Sequence, residues 1–160
     1  MLPKPNLRHT EQPTLQTNTH NQVKTQMSKL KTSSKNLEWQ EADDVKGDLL
    51  GILKVLDMPH VNPMRIFCFR TRGSKSKSYA RIWSFPKIFQ RALRINPAYV
   101  VEVLSRHYDK LNPDEQKKVL IHELLHIPKN FSGALLPHRT RGRHIGLLVN
   151  KLFKEYKKAL

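Results

Sequence analysis

Two histidines that lie four residues apart, His122 and His126, enclose a glutamate, Glu123, in the segment H-E-L-L-H. On a helix this spacing places both imidazoles on one face, one turn apart, where they can bind a single ion. Glu123 cannot readily join that pair, but its carboxylate can reach a water on the ion and accept a proton from it. The pattern therefore predicts a zinc site of the hydrolytic type.

The residues around this motif predict that it lies on a helix. Residues 112–115, N-P-D-E, combine an N-cap, a proline for the first helical position and acidic side chains for the first turn. Pro128 is expected to end the helix two residues after His126. This context disfavours the alternative in which the two histidines are satisfied side chains on a half-buried helix.

A catalytic zinc ion needs three protein ligands and an open position for water, so the chain after His126 must supply one more ligand. On the sequence alone two histidines compete for this role. His138 lies in the irregular stretch 129–143, and His144 lies at the predicted start of the last helix. Either can return to the metal, because a loop of this length can cross the site.

Five further elements before the motif must position it. Residues 38–56 predict a first helix with apolar side chains at helical spacing, namely Val45, Leu49, Ile52, Leu53 and Leu56. Residues 64–70 and 79–85 are rich in strand-forming types, and the basic stretch 71–78 between them predicts an antiparallel hairpin. Residues 87–94 predict a short helix whose inner side carries Ile88, Phe89, Ala92 and Leu93.

Residues 99–104, Y-V-V-E-V-L, predict a central third strand because they are dense in β-branched types. After the motif, residues 144 to about 158 predict an amphipathic closing helix with Ile145, Leu148, Leu152, Phe153 and Tyr156 on its apolar side. The expected fold is therefore α+β, with a small antiparallel or mixed sheet of about three strands, an active-site helix, a preceding helix and a closing helix.

The chain of 160 residues has room for one domain with a real core. Residues 1–36 are rich in polar types and lysine and contain few large apolar residues, so we predict a disordered basic tail followed by a folded domain at 37–160. The formal net charge is +16, and most of the excess lies beyond residue 57. Such a charge predicts at least non-specific binding to nucleic acid at low salt.

Cys68 is the only cysteine, which excludes an intrachain disulfide and a zinc site built from several cysteines. We found neither a secretory signal nor an apolar run long enough to span a membrane. These features predict a cytoplasmic location and no membrane partner.

Residues 122–138, H-E-L-L-H-I-P-K-N-F-S-G-A-L-L-P-H, resemble a family of metallopeptidases from phages and archaea. The resemblance extends back through residues 79–83 and 85–90 and covers about residue 64 to the C-terminus, without the tail. It implies a minimal zincin-like fold, a Zn²⁺ cofactor held by His122, His126 and His138, and a protein or peptide substrate. Glu123 would be the catalytic acid and base.

Two other patterns leave alternatives open. In SprT-like proteases, which act on proteins crosslinked to DNA, the third histidine opens the helix after the motif, and His144-Ile145-Gly146 loosely resembles that arrangement. We prefer His138 because Leu136-Pro137-His138 matches the phage and archaeal pattern directly. A nucleic-acid-binding module with a structural zinc would need both histidines as ligands, and the lack of suitable cysteines argues against it.

Substrate contacts are less constrained by the sequence. A donor to the developing oxyanion could come from Arg139, Arg141, His144 or Tyr156, and spacing singles out none of them. The predicted strand at 79–85 could hold an extended substrate by main-chain pairing if it lies at an edge of the sheet.

Overall fold

The computed structural model describes residues 37–140 and 143–160, so the predicted tail at 1–36 lies outside the described residues. The elements in chain order are β1 (Glu38–Glu41), α1 (Asp43–Val55), β2 (Ile66–Arg72), β3 (Ala80–Ser84), α2 (Lys87–Leu93), β4 (Tyr99–Leu104), α3 (Ser105–Tyr108), α4 (Pro113–Leu124), β5 (Arg139–Thr140), β6 (Arg143–His144) and α5 (Ile145–Lys158). The predicted α+β class is confirmed. Among the described residues, no helix combines the length and apolar character needed to cross a membrane.

The main sheet has four strands in the order β1-β2-β4-β3, one more than the three that we predicted. β1 accounts for the difference, because residues 38–41 were expected to be the start of the first helix. Instead this segment pairs antiparallel with β2, with Trp39 opposite Thr71. The helix begins only at Asp43, where two acidic residues occupy its first turn. Pairing with a strand some 30 residues away is a tertiary effect that local periodicity does not report.

The predicted hairpin between the second and third strands is wrong. β4 lies between β2 and β3, and it runs parallel to β2 and antiparallel to β3. The residues between β2 and β3 include Gly73 and three serines, and they are numerous enough to reach past β4, a distance of about 10 Å from β2 to β3. The strand richest in β-branched residues thereby gains a partner on each side, which confirms its predicted central place.

The core lies between one face of this sheet and the helices α1, α4 and α5. α4 packs against α1, α5 and β3, and α1 also contacts β2. The fully or almost fully buried side chains of this core include Val45, Leu49, Ile52, Tyr99, Val101, Val103, Leu120, Ile121, Leu124 and Ile145. The core packing therefore holds the motif helix α4 on three sides, independently of the side chains of the candidate site.

Helix α2 departs from the prediction, because its apolar residues do not face the core. Ile88, Phe89 and Leu93 are 70%, 55% and 61% exposed, and Ala92 is exposed as well. A seven-residue helix is too short to be stabilised by its own hydrogen bonds. It is attached instead through the side chain of Gln90, which donates to the carbonyl oxygens of Phe85 and Ser132.

The predicted start of the motif helix is confirmed, and its end is earlier than expected. Asn112 caps α4 in a reciprocal capping box with Glu115, and Pro113 occupies the first helical position. The α-helix ends at Leu124, four residues before Pro128. A tighter turn follows it, in which the amides of His126 and Ile127 donate to the carbonyls of Glu123 and Leu124. α5 confirms the predicted closing helix.

Candidate metal centre

Helix α4 and the turn that follows it bring three side chains of the motif to one side of the core. His122 and Glu123 lie in the last turn of α4, and His126 lies in the tighter turn after it. The Nε2 atoms of His122 and His126 are 3.4 Å apart, although His126 is outside the regular helix. The turn therefore preserves the spacing that the sequence predicted for a continuous helix.

The third histidine of the cluster is His138, which arrives from the loop between α4 and β5. Its Nε2 atom lies 3.1 Å from Nε2 of His122, and one ligand atom from each of the three histidines lies within 4.8 Å of the others. Two nitrogen ligands at the usual 2.0–2.1 Å from a tetrahedral zinc ion lie about 3.4 Å apart. The three imidazoles consequently fit a single zinc ion in both chemistry and spacing.

The turn and the loop are joined at His126 by two hydrogen bonds. The amide of Leu136 donates to the carbonyl oxygen of His126 at 2.8 Å. The Nδ1 atom of His126 lies 2.6 Å from the carbonyl oxygen of Leu136, and because a carbonyl can only accept, Nδ1 carries the hydrogen. The lone pair of this imidazole is then on Nε2, the atom that faces the other two histidines.

A buried tyrosine of the sheet holds the middle of the same loop. The hydroxyl of Tyr99 accepts a hydrogen bond from the amide of Gly133 at 2.9 Å and donates one to the carbonyl oxygen of Ala134 at 3.0 Å. Its ring packs edge-on against Phe131. Tyr99 therefore ties the loop that carries His138 to the central strand. Sequence reasoning assigned Tyr99 only to a strand, because nothing local marks its partner.

Gln90 attaches the loop to α2 in the same way. Its Nε2 atom donates to the carbonyl oxygens of Phe85 and Ser132 at 2.6 and 2.9 Å. Gly133 lies directly beneath this side chain with a φ of 78°. A Cβ at that position would overlap Gln90 Nε2 and the Phe85 carbonyl oxygen, so the loop can follow this path only with glycine there.

Burial changes the pKa values of two side chains at the site, His122 and Glu123. The pKa of His122 is lowered to about 4, first by burial and then by the positive charges that His126 and His138 can carry. Its imidazole is therefore neutral near pH 7, the form that binds a metal. Glu123 is only 8% exposed, and burial raises its pKa to about 7. The carboxyl of Glu123 can hold or release a proton near neutral pH.

The other candidates from the sequence do not join the three histidines. Among the described residues, the group of mutually close ligand atoms consists of His122, His126 and His138. His144 is exposed and borders an adjacent cavity together with His122 and His138. Tyr156 is 7% exposed and stacks on Phe153 within the core, which leaves it a packing residue.

The remaining two candidates for an oxyanion donor lie where the structure does not describe their side chains. Arg141 is outside the described residues, and Arg139 is described only through its backbone pairing with His144. Their proposed roles stay predictions.

A cleft of about 770 Å³ opens beside the histidine cluster. One wall is β3 with the residues just before it, Ser78 to Ile82, and another is α4 with Val119, His122 and Glu123. Leu135 and His138 of the loop and Gly146, Val149 and Asn150 of α5 complete the lining. β3 is the last strand of the main sheet, so an edge strand and the three histidines border the same space.

One of the comparisons with known proteins found a match. The sequence model of a family described as "Putative phage metallopeptidase" matches residues 37–155, which include every strand of the main sheet and the whole histidine cluster. Neither the curated proteins nor the solved structures contain a match to this chain. The family match covers well over half of the sequence and confirms the resemblance carried by residues 122–138. The chain therefore belongs to this family.

Proposed function

We propose that this protein is a zinc-dependent peptidase in which His122, His126 and His138 hold the metal and Glu123 acts as general base and acid. One observation carries the proposal. Three imidazole nitrogens converge at zinc-ligand spacing beside a buried carboxylate, at the wall of a cleft that ends on an edge strand. Three nitrogen ligands with no thiolate among them are typical of catalytic zinc sites, whereas structural sites usually contain cysteine.

A zinc ion in this position would supply a Lewis acid that makes a water molecule more acidic and polarises the scissile carbonyl. The protein's own residues then perform the proton transfers. An oxygen of the Glu123 carboxylate accepts a proton from the attacking water, whose oxygen forms a bond to the carbonyl carbon. The same carboxyl group delivers that proton to the leaving nitrogen as the carbon–nitrogen bond breaks.

The cleft favours an extended peptide as the substrate. Residues 78–82 line it along β3, and the free side of a terminal strand can pair with the backbone of another chain. Such pairing recognises the main-chain groups of the substrate rather than its side chains. We therefore expect activity on unfolded proteins and flexible segments. Any preference for particular substrate side chains would come from the side chains that line the cleft.

The two alternatives from the sequence have less support. A structural zinc with four histidines would need His144 in the cluster, and its ligand atoms lie outside the group formed by the other three. A third ligand at His144 in place of His138 meets the same difficulty. We therefore retain the catalytic assignment with His138.

The test is the Glu123→Gln variant, because the amide keeps the volume of the side chain and loses its basicity. We expect normal zinc content and thermal stability, with cleavage of an unfolded, fluorescently labelled protein reduced on the order of 10²- to 10⁴-fold. Glu155→Gln on the exposed side of α5 is the matched control and should cleave like the wild type. Equal cleavage by the Glu123→Gln variant and the wild type would overturn the proposal.

A further inference from the structure

The face of the main sheet that points away from the helices carries exposed aromatic side chains. We call it the outer face and define it by Trp39, Phe67, Phe69, Trp83 and Val100, with Thr71, Arg81 and Glu102 between them. Strand register places Phe67, Val100 and Trp83 in one row across β2, β4 and β3. Trp39, Phe67 and Trp83 are 57%, 45% and 51% exposed. Exposed aromatic groups in such a row are more typical of a binding surface than of a solvated sheet.

A buried carboxylate fixes one of these rings. Glu102 is 4% exposed; its Oε2 accepts from Nε1 of Trp83 at 2.7 Å, and its Oε1 accepts from the hydroxyl of Thr71 at 2.5 Å. The guanidinium of Arg81 lies 3.9 Å from the same carboxylate. The edge of the indole is thereby anchored while about half of Trp83 remains open to solvent. A flat ring held in one orientation loses little freedom when another flat group stacks on it.

Cations lie beside the part of the outer face that borders the segment between β2 and β3. The segment between β2 and β3 contains Lys75 and Lys77, which are both exposed, and it follows the exposed Arg72. A cavity of about 720 Å³ separates this segment from the sheet and is lined by Trp39, Trp83, Lys75 and Arg81 among others. The exposed acid Glu41 borders the opposite end of the face, beside Phe67 and Phe69. Two of the aromatic side chains, Trp39 and Trp83, and two cations, Lys75 and Arg81, therefore line the same cavity beside this segment.

We propose that the outer face binds single-stranded nucleic acid. Bases would stack on Trp39 and Trp83, and phosphates would contact Lys75, Lys77 and Arg81, the combination by which proteins hold single strands without reading their sequence. A second copy of this chain is a poorer occupant, because a symmetric pairing that brings the two segments with Lys75 and Lys77 together would place like charges side by side. The site contains none of the three histidines, although Arg81 also borders the cleft beside them, and it does not depend on the proposed peptidase activity.

The two tryptophans of the chain, Trp39 and Trp83, both lie on this face, so tryptophan fluorescence, excited selectively over the four tyrosines, reports on the proposed site. We expect an oligothymidylate of about 15 nucleotides to quench this fluorescence at low salt and to bind more tightly than a duplex of the same length. Glu123→Gln should bind the oligonucleotide like the wild type, which separates this proposal from the peptidase proposal. Binding without any tryptophan quenching would overturn the outer face as the site.

Matched variants test the aromatic platforms. Trp39→Ala should weaken binding of a labelled oligonucleotide, measured by fluorescence anisotropy, at least about fivefold. Phe89→Ala on α2 removes an aromatic group of similar exposure from elsewhere on the surface and should leave the affinity unchanged. Trp83→Ala should act like Trp39→Ala, and circular dichroism of both variants checks that the sheet is intact. Equal affinities in Trp39→Ala and Phe89→Ala, with both folded, would contradict the proposal.

Paired charge reversals separate a local site from the general effect of net charge. Lys75→Glu with Lys77→Glu should reduce affinity more than Lys154→Glu with Lys158→Glu on α5, although both pairs change the net charge equally. Equal losses would mean that only the overall charge attracts the polymer. A dimer in sedimentation experiments that is lost on Trp39→Ala, together with no oligonucleotide binding, would assign the outer face to self-association and overturn the proposal.

Discussion

The candidate metal centre is assembled from two regions that are held in different ways. His122, Glu123 and His126 come from α4 and its terminal turn, where each backbone hydrogen bond joins residues three or four apart. His138 comes from a loop held by groups that are distant in the sequence. The hydroxyl of Tyr99 contacts that loop across 34 residues, and Gln90 does so across 42.

This difference predicts how each region responds to mutation. Hydrogen bonds of the local backbone set the geometry of the helical region. Removing one side chain there should therefore change the free energy of unfolding more than it changes the positions of the metal ligands. The loop region owes its course to a few hydrogen bonds, and losing one should displace His138 while leaving α4 intact. Four further predictions test this contrast, from the largest expected effect to the smallest.

The largest effect is expected from removing a ligand in either region. His126→Ala and His138→Ala should each weaken zinc binding by more than about 100-fold, beyond the usual cost of changing a group that only supports a ligand. Zinc content after dialysis and titration against a competing chelator measure this. His144→Ala is the control and should keep its zinc. Loss of zinc in His144→Ala with retention in His138→Ala would move the third ligand to His144.

Gly133→Ala should disrupt the loop region alone. The φ of 78° disfavours any side chain by about 1–2 kcal/mol, and the new Cβ would also overlap Gln90 and the backbone of Phe85. We expect a lower melting temperature and weaker zinc binding. Gly47→Ala, where a Cβ meets nothing within 4 Å, is the control and should stabilise α1 by up to about 1 kcal/mol.

A second variant sharpens the test of the loop. Adding Gln90→Ala to Gly133→Ala removes one of the two overlaps and leaves the one with the Phe85 carbonyl oxygen. The double variant should therefore stay impaired. Full recovery of zinc affinity would show that the side chain of Gln90, rather than the path of the backbone, constrains the loop.

Tyr99→Phe should have a smaller effect on the same loop. It leaves the buried amide of Gly133 without its hydrogen-bond acceptor, a cost of about 1–3 kcal/mol, and it removes the donor to the carbonyl of Ala134, an exposed residue. We expect zinc affinity to fall about 10-fold while far-ultraviolet circular dichroism is unchanged. Tyr108→Phe is the matched control, because the buried Tyr108 hydroxyl has no hydrogen-bond partner within the described residues. Wild-type zinc affinity in Tyr99→Phe would refute the dependence of His138 on this contact.

Asn112→Ala should have the smallest effect, and only on stability. The side chain of Asn112 accepts from the amide of Glu115 at 2.9 Å and caps the first turn of α4, far along the helix from the histidines. Its loss should lower the free energy of unfolding by about 1 kcal/mol, measured by chemical denaturation, with zinc affinity unchanged. Asn112→Asp should retain most of the stability. A large loss of zinc in Asn112→Ala would show that the helical region is less independent than we infer.

Errors in the predicted fold follow the same division between local and distant contacts. The capped start of α4, the closing helix α5 and the central strand β4 were predicted correctly, because periodicity and capping residues report them directly. The predicted hairpin of β2 and β3 was wrong because strand-forming residue types do not indicate which strands pair with each other. The prediction that α2 turns its apolar side towards the core was wrong. Ile88, Phe89 and Leu93 are apolar, but they lie at exposed positions, which do not require apolar residues.

For the candidate site, residue types and spacing were enough to name three of the four residues that the peptidase proposal now uses. His122, Glu123 and His126 follow from helical geometry, in which residues four apart share a face. The sequence alone left His138 and His144 as alternatives at the level of spacing, and the likeness of residues 122–138 to a known family favoured His138. Nothing in the sequence marked Tyr99, Gln90 or the carbonyl of Leu136 as part of the site. Their roles depend on where the loop that carries His138 lies in the fold.

The sequence by itself therefore determined the elements whose hydrogen bonds close within a few residues: the capped motif helix, its paired histidines and the amphipathic closing helix. Only the tertiary structure decided the insertion of β4 between β2 and β3, the approach of His138 and the aromatic outer face. The physical reason is that a helix satisfies its own backbone groups. A strand or loop satisfies them with partners whose position depends on the whole fold.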